Sequence, residues 1–286
     1  MGEHLLEMAK ALVLVKDGEV KVLSDPQIRS CPLRRDLYGC ETESRETVER
    51  VLREHMDELG MYSSKRMLEV DQKPVSFGAS EMIMDAMSQG MVDAAVVVCE
   101  GAGTVIATRP EVLQAMGAHM TGLIRTDPIE EVQSGLMERD CTILEEACEI
   151  DQVKGYAKAI DLGFEKVAVT MTGLRAFEAE KLWEMGKVTG RPPLIMAVHN
   201  TGIDADQANM LAKYADIVWA CASKEVREVV GPLSKIQIGV AIPVYAVSDA
   251  GKRIVLNRAM HFEGSLVIHR ASLPFLHQDR QPDPLL

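Results

Sequence analysis

Residues 152–202 read QVKGYAKAIDLGFEKVAVTMTGLRAFEAEKLWEMGKVTGRPPLIMAVHNTG, and this stretch decides the fold class. Two helix-length segments, Gln152 to Leu162 and Arg175 to Met185, each lead within a few residues into a short apolar run, Lys166 to Thr170 and Leu194 to Val198. Such runs show no steady polar face, so both sides of each need cover, which helices on the two faces of a sheet supply. The pattern repeats downstream: a helix over Asp206–Lys213 precedes Ile217–Ala220, and one over Ser223–Val230 precedes Lys235–Val240. Alternation with short links is what right-handed crossovers on a mostly parallel sheet produce. The expected class is α/β, a mostly parallel sheet with helices on both faces.

Upstream, Ala11–Val15 and Glu19–Leu23 flank Asp17-Gly18, a pair that tolerates positive φ, and predict an N-terminal β-hairpin. The segment from Ser30-Cys31-Pro32-Leu33 to Gly39-Cys40-Glu41 has no steady period, whereas Val48, Val51, Leu52, Met56 and Leu59 predict a helix over Glu46–Leu59 closed by Gly60. Ser80 is placed to cap a helix ending at Gly90, Val92–Val98 reads as a buried strand, and Thr108-x-x-Glu111 has the spacing of a capping box. Three parts are expected: a lobe over 1–150 with the leading hairpin, a βαβ-repeating lobe over 151–270 packed with it as one unit, and a tail over 271–286. Pro274, Pro282 and Pro284 mark that segment as a tail or a strap over a neighbour, not a domain. The echo between Ala86-x-x-x-Gly90 and Ala159-x-x-x-Gly163 is read as generic helix-to-strand grammar.

Composition narrows the function classes. With 286 residues, 47% hydrophobic and 26% charged, the chain can bury a full core. A formal charge of −12 and only 4% aromatic residues argue against nucleic acid as a partner, since a phosphate backbone is repelled and few rings are available for stacking. No apolar run approaches the roughly 20 residues that cross a bilayer, and Met1 to Lys10 lacks a basic start before an apolar core, so no membrane partner and a cytosolic location are expected. Six cysteines with no Cys-x-x-Cys pair read as thiols, not as disulfides or a zinc ribbon.

In an open parallel sheet, the loops after the strands share one edge, so polar residues following each apolar run converge. These are Cys99, Glu100 and Thr104; Thr170, Thr172 and Gly173; His199, Asn200, Thr201 and Gly202; and Cys221, Ser223 and Lys224. His199 and Glu100 are the candidate acid/base pair. Gly101, Gly103, Thr104, Thr172, Asn200, Thr201, Ser223 and Lys224 are the candidate binders of a small anionic molecule bearing carboxylate or phosphate. Taken singly, Thr172, Thr201 and Ser223 are ordinary caps, and only their convergence argues for a site. Lys224 at a helix start is electrostatically misplaced unless an acid or anion compensates it. Gly101-Ala102-Gly103 lacks the third glycine of a dinucleotide fingerprint, and no P-loop occurs. Cys99 and Cys221, with Cys31 or Cys40, could make a thiolate site for zinc or an iron–sulfur cluster, against the reading that they are buried thiols. His261, His269 and His277 read as surface residues.

Several segments together resemble the methanogenesis marker protein 8 family. They are Phe77-Gly78-Ala79-Ser80-Glu81, Asp93 through Thr104, Asp151-Gln152-Val153-Lys154-Gly155, Ala197-Val198-His199-Asn200-Thr201-Gly202, Ala220-Cys221-Ala222-Ser223-Lys224 and Cys31-Pro32-Leu33. The likeness runs in order from about residue 10 to residue 258. It implies an archaeon that makes methane through methyl-coenzyme M reductase and an anaerobic cytosol in which thiols survive, and it carries no catalytic residue. Three functions are therefore weighed. The first is an accessory protein binding an anionic ligand, in reductase maturation or cofactor handling. The second is a non-catalytic assembly factor with protein partners among methanogenesis enzymes, and the third a thiolate-ligated metal protein. Neither a cofactor nor homo-oligomerisation is decided by the sequence.

Overall fold

A computed structural model describes residues 2–119 and 122–286. In chain order the strands are β1 (Glu3–Met8), β2 (Ala11–Lys16), β3 (Glu19–Val22), β4 (Ala94–Cys99), β5 (Gly103–Ala107), β6 (Gly122–Thr126), β7 (Thr142–Ile143), β8 (Val167–Thr172), β9 (Leu194–Val198), β10 (Ile217–Trp219), β11 (Ile236–Ile238) and β12 (Val244–Ala246). The helices are α1 (Pro32–Tyr38), α2 (Arg45–Leu59), α3 (Ala79–Ser88), α4 (Pro110–Gly117), α5 (Glu130–Met137), α6 (Gln152–Asp161), α7 (Phe177–Thr189), α8 (Ala205–Tyr214) and α9 (Asp249–Met260).

Eight strands form the main sheet in the order β11-β12-β10-β9-β8-β4-β5-β7. Its centre, β10-β9-β8-β4, is parallel, as the alternating segments predict. Both flanks are antiparallel, so the sheet is mixed and the mostly parallel expectation is corrected. The cause is connection length: a parallel neighbour needs a crossover of a dozen or more residues, whereas β4 and β5 are joined by Glu100, Gly101 and Ala102 alone. Gly101 (φ 79°) and Gly103 (φ 71°) take the left-handed conformations this tight return requires. Likewise Ile236–Ile238, expected as another parallel strand, turns back through residues 239–243 and pairs antiparallel with β12.

Successive residues of β4 point to opposite faces, so Ala94 and Val96 join one core while Ala95, Val97 and Cys99 join the other. Tyr156, Leu182 and Leu211 from α6, α7 and α8 fill the first; Ile83, Leu113 and Val255 from α3, α4 and α9 fill the second. Strands on both sides of residue 150 enter this one sheet.

The expected hairpin, β2–β3, is half of a second, antiparallel sheet of order β3-β2-β1-β6. Strand β1 buries His4, Leu6 and Met8 and exposes the alternate residues more, turning into β2 through Ala9 and Lys10. Val48, Val51 and Leu52 of α2 pack against Leu6, Val13 and Val15 from this sheet. Each such fully buried side chain contributes about 1.5–3 kcal/mol. Helix α2 opens with a capping box, Ser44 accepting from the Thr47 N–H while the Thr47 hydroxyl accepts from the Ser44 N–H.

Three local expectations change. Gly78, not Ser80, precedes the first turn of α3, and the Ser80 hydroxyl donates to Glu81 instead. Thr108 donates to the Asp140 carbonyl, leaving Pro110 to start α4. The segment after Ser223 winds as a wider π-turn over Val226–Val230. The tail lies on its own chain: Asp283 pairs with Ser30, and Leu286 exchanges backbone hydrogen bonds with Ala222 and Lys224. His261, His269 and His277 are exposed.

Candidate functional site

The four parallel strands end side by side, and the smaller sheet is laid over that edge. At the β4 end the Gly101 N–H donates to Thr126 Oγ1 of β6 at 2.8 Å, and His4 Nδ1 of β1 lies 2.6 Å from the same hydroxyl. At the β9 end Glu7 of β1 reaches His199 Nε2 at 3.1 Å, and Lys10 from the β1–β2 turn donates to Glu7 at 3.0 Å. The His199 ring lies flush on β6: a Cβ added at Gly122 would stand 2.4 Å from Nε2.

His199 and Cys221 follow adjacent strands, and each holds a left-handed backbone, at φ 57° and 46°, that non-glycine residues adopt at some cost. Around His199 the polar groups converge as the strand ends predict. Thr172 Oγ1 donates to the His199 carbonyl at 3.1 Å, and Thr201 Oγ1 accepts from the Ala222 N–H at 3.2 Å. Asn200 is fully buried, its amide donating to the carbonyls of Ala197 and Trp219, which ties β9 to β10. Its Oδ1 has no hydrogen-bond partner and lies against Gly173. Burial pushes the Glu7 carboxyl upward, yet His199 and Lys10 outweigh it and leave its pKa below the ordinary value.

Other expected site residues stand elsewhere. Glu100 lies on the same edge but two strand spacings from His199, about 10 Å. Its carboxylate, only 3% exposed, meets Arg66 Nε at 2.5 Å, an ion contact that occupies it inside the protein. Gly101 and Gly103 serve the hairpin and are packed under Ile129 and Cys148. Thr104 is buried, donating to Gln152 and accepting from the Asp151 N–H, both at 2.9 Å, and Thr170 is buried beside it. Ser223 is fully buried and accepts from the Val226 N–H, which is its capping role. The ammonium of Lys224 points to solvent near Glu228, which answers its electrostatic misplacement without a ligand.

Nor are the cysteines one group. Cys99 and Cys221 are three strand spacings apart, about 14 Å. Burial drives the Cys99 thiol well above its ordinary pKa, with Glu100, Cys141 and Cys148 adding to the rise. Cys31 instead lies within electrostatic reach of Cys221. Both of those thiols are also raised by burial, against the pull of nearby N–H groups: Leu33 and Arg34 for Cys31, His199 and Asn200 for Cys221. No capping hydrogen bond closes on Cys31. Among the described residues no group of three or more His, Cys, Asp or Glu side chains is placed to hold a metal ion.

Glu7, Lys10, His4 and Arg66 were missed from the sequence because they belong to the covering sheet and the linker behind it. The only available signal was Glu7-x-x-Lys10 flanking a turn.

Fold and site together define an α/β protein whose strand-end edge is closed by a second sheet. The chain belongs to the family described as uncharacterized protein conserved in archaea (DUF2099), which matches residues 4–260. It is 36% identical over 288 aligned positions, all of both chains, to the uncharacterized protein MJ0054 of Methanocaldococcus jannaschii. Among solved structures, a chain in "Xenon derivatization of the F420-reducing [NiFe] hydrogenase complex from Methanosarcina barkeri" matches 64% of this chain and 72% of its own length at 14% identity. Its TM-score is 0.35, too low to bear on fold or function. No helix among the described residues is long and apolar enough to cross a membrane.

Proposed function

We propose that this chain is an accessory protein of methane-forming metabolism that binds a small carboxylate or phosphate compound where β8 and β9 end beneath the smaller sheet. The reading on methane formation is supported by the resemblance to the methanogenesis marker protein 8 family, and places the protein in maturing methyl-coenzyme M reductase or handling one of its cofactors. One observation carries the ligand site: His199, held in a left-handed backbone at a strand end, is partly exposed and shares Glu7 with Lys10. A ligand anion reaching Lys10 and His199 would take the place of Glu7, with the Thr172 and Thr201 hydroxyls alongside. Such an exchange swaps one carboxylate partner for another at little electrostatic cost.

Calorimetric titration with inorganic phosphate and with short dicarboxylates tests this. Saturable binding that falls at least about tenfold in Lys10→Gln and in His199→Gln supports the site, in line with the loss of one charge-assisted hydrogen bond. Binding left unchanged by both substitutions overturns it.

A protein partner is the second reading, favoured by one exposed apolar run. Val267 and Ile268 are 89% and 83% exposed in a segment without secondary structure, with Met260 at 77% close by in sequence. This differs from the tail as the partner-binding element, since the tail is occupied by its own chain.

A further inference from the structure

Three arginines are almost fully buried: Arg66, Arg227 and Arg258. Two have carboxylate partners, Arg66 with Glu100 at 2.5 Å and Arg258 with Asp85 at 2.8 Å. Arg227 has none among the described residues. Its donors go to the carbonyls of Ser223 (2.7 Å), Cys221 (2.8 Å), Ala220 (3.2 Å) and Ala241 (3.2 Å), and to the Gln281 amide oxygen (2.8 Å). These satisfy all five N–H groups and leave the charge itself unbalanced. An uncompensated buried cation is costly, so its surroundings favour an anion.

The groups nearest that charge which can become anionic include Cys31, Cys221 and Tyr245. Burial pushes Tyr245 up to about 12, so it stays neutral at physiological pH. The two thiols remain, both partly exposed. The C-terminal strap connects their flanks: Asp283 pairs with Ser30, next to Cys31, and Leu286 with Ala222, next to Cys221. Beside them opens a cleft of about 480 Å³, lined by Pro32 and Leu33 after Cys31, by Ala241 from the Arg227 shell and by Arg280 from the strap.

We propose that Cys31 and Cys221, with Arg227 behind them and residues 281–286 strung across, bind a soft monovalent metal ion of the copper(I) class as a two-coordinate dithiolate. Thiolates select such ions. The absence of a third ligand group among the described residues argues against zinc, which takes four. Charge balance points the same way: two thiolates and one monovalent cation leave a single negative charge, which Arg227 cancels. A neutral disulfide would leave that arginine unbalanced. On binding, each S–H loses its proton to solvent, two S–metal bonds form, and the metal keeps its oxidation state. This site abuts the proposed anion site, since the Cys221 thiol lies against the His199 and Asn200 N–H groups, but it uses different side chains, so Cys31→Ser tests one and Lys10→Gln the other.

The test is a competition between the full chain, purified reduced and without oxygen, and copper(I) held by a chromophoric chelator. The native chain is expected to withdraw one equivalent. Cys31→Ser and Cys221→Ser should each weaken binding by at least about 100-fold, while Cys40→Ser and Cys141→Ser leave it intact. Thermal unfolding checks that each variant is folded, and bound copper(I) should shield Cys31 and Cys221 from iodoacetamide in the native chain. Failure of the native chain to withdraw copper(I), equal binding by Cys31→Ser, or undiminished alkylation of both thiols overturns the proposal, as does a Cys31–Cys221 disulfide in a chain that binds no copper(I) when reduced.

Discussion

Replacing Glu100 by Gln keeps the shape of the side chain and removes its charge, which makes it the sharpest probe of the covered edge. Its carboxylate and the Arg66 guanidinium are 3% and 1% exposed and meet at 2.5 Å. Arg66 also donates to the carbonyls of Ala115 and Met67, at 2.6 and 2.9 Å, so it cannot swing out to water without breaking both bonds. Removing one partner of such a pair strands a buried charge, at a cost of about 3–5 kcal/mol. With an unfolding entropy of about 2.1 cal/mol/K per residue, 286 residues carry about 0.6 kcal/mol/K, so Tm should fall by roughly 5–8 °C. Scanning calorimetry on the native chain, Glu100→Gln, Arg66→Met and the double variant Glu100→Gln/Arg66→Met completes a cycle. The double variant should be less destabilised than the sum of its single changes, because neither charge is then stranded. A Glu100→Gln protein as stable as the native chain that has lost ligand binding would refute the structural role and return Glu100 to the site.

Further outcomes follow from the same geometry. Burial, with His119 close by, holds His55 down to about 3, while the unfolded chain protonates near 6.5. Its contribution is therefore complete above pH 6.5 and lost as pH falls toward 3, with a slope nearing about 1.4 kcal/mol per pH unit; denaturant unfolding of His55→Leu should lose that slope. Gly122→Ala places a methyl 2.4 Å from the His199 ring, so it should weaken phosphate binding and cost about 1–3 kcal/mol by overpacking, both measurable on one purified sample. Thr104→Val leaves Gln152 and the Asp151 N–H without their hydroxyl partner and should cost about 1–3 kcal/mol in urea unfolding. Ser44→Ala removes the cap of α2 for about 1 kcal/mol, read by the same method.

Much of the candidate site was legible at one remove. Reading the residues after Val98, Val169, Val198 and Ala220 as neighbours holds because β4, β8, β9 and β10 are parallel. Which of those residues stay available was not legible. Glu100, Thr104 and Ser223 look as polar in sequence as His199, yet each has its partner inside the chain: Arg66 for Glu100, Gln152 for Thr104, the Val226 N–H for Ser223. The partners come from far along the chain or from backbone groups, neither of which leaves a local trace.

Periodicity and apolar runs determined on their own that the chain is an α/β protein, that helices cover both sheet faces, and that residues 11–22 form a hairpin. These are short-range consequences of burial, since a strand hidden on two sides must be apolar on two sides. Only the tertiary structure decided the antiparallel flanks, the second sheet over the strand ends, and the placing of Glu7 on His199 and of the tail between Cys31 and Cys221. Each depends on pairing between segments distant in sequence, where register and packing over the whole molecule, not any local pattern, select the partner.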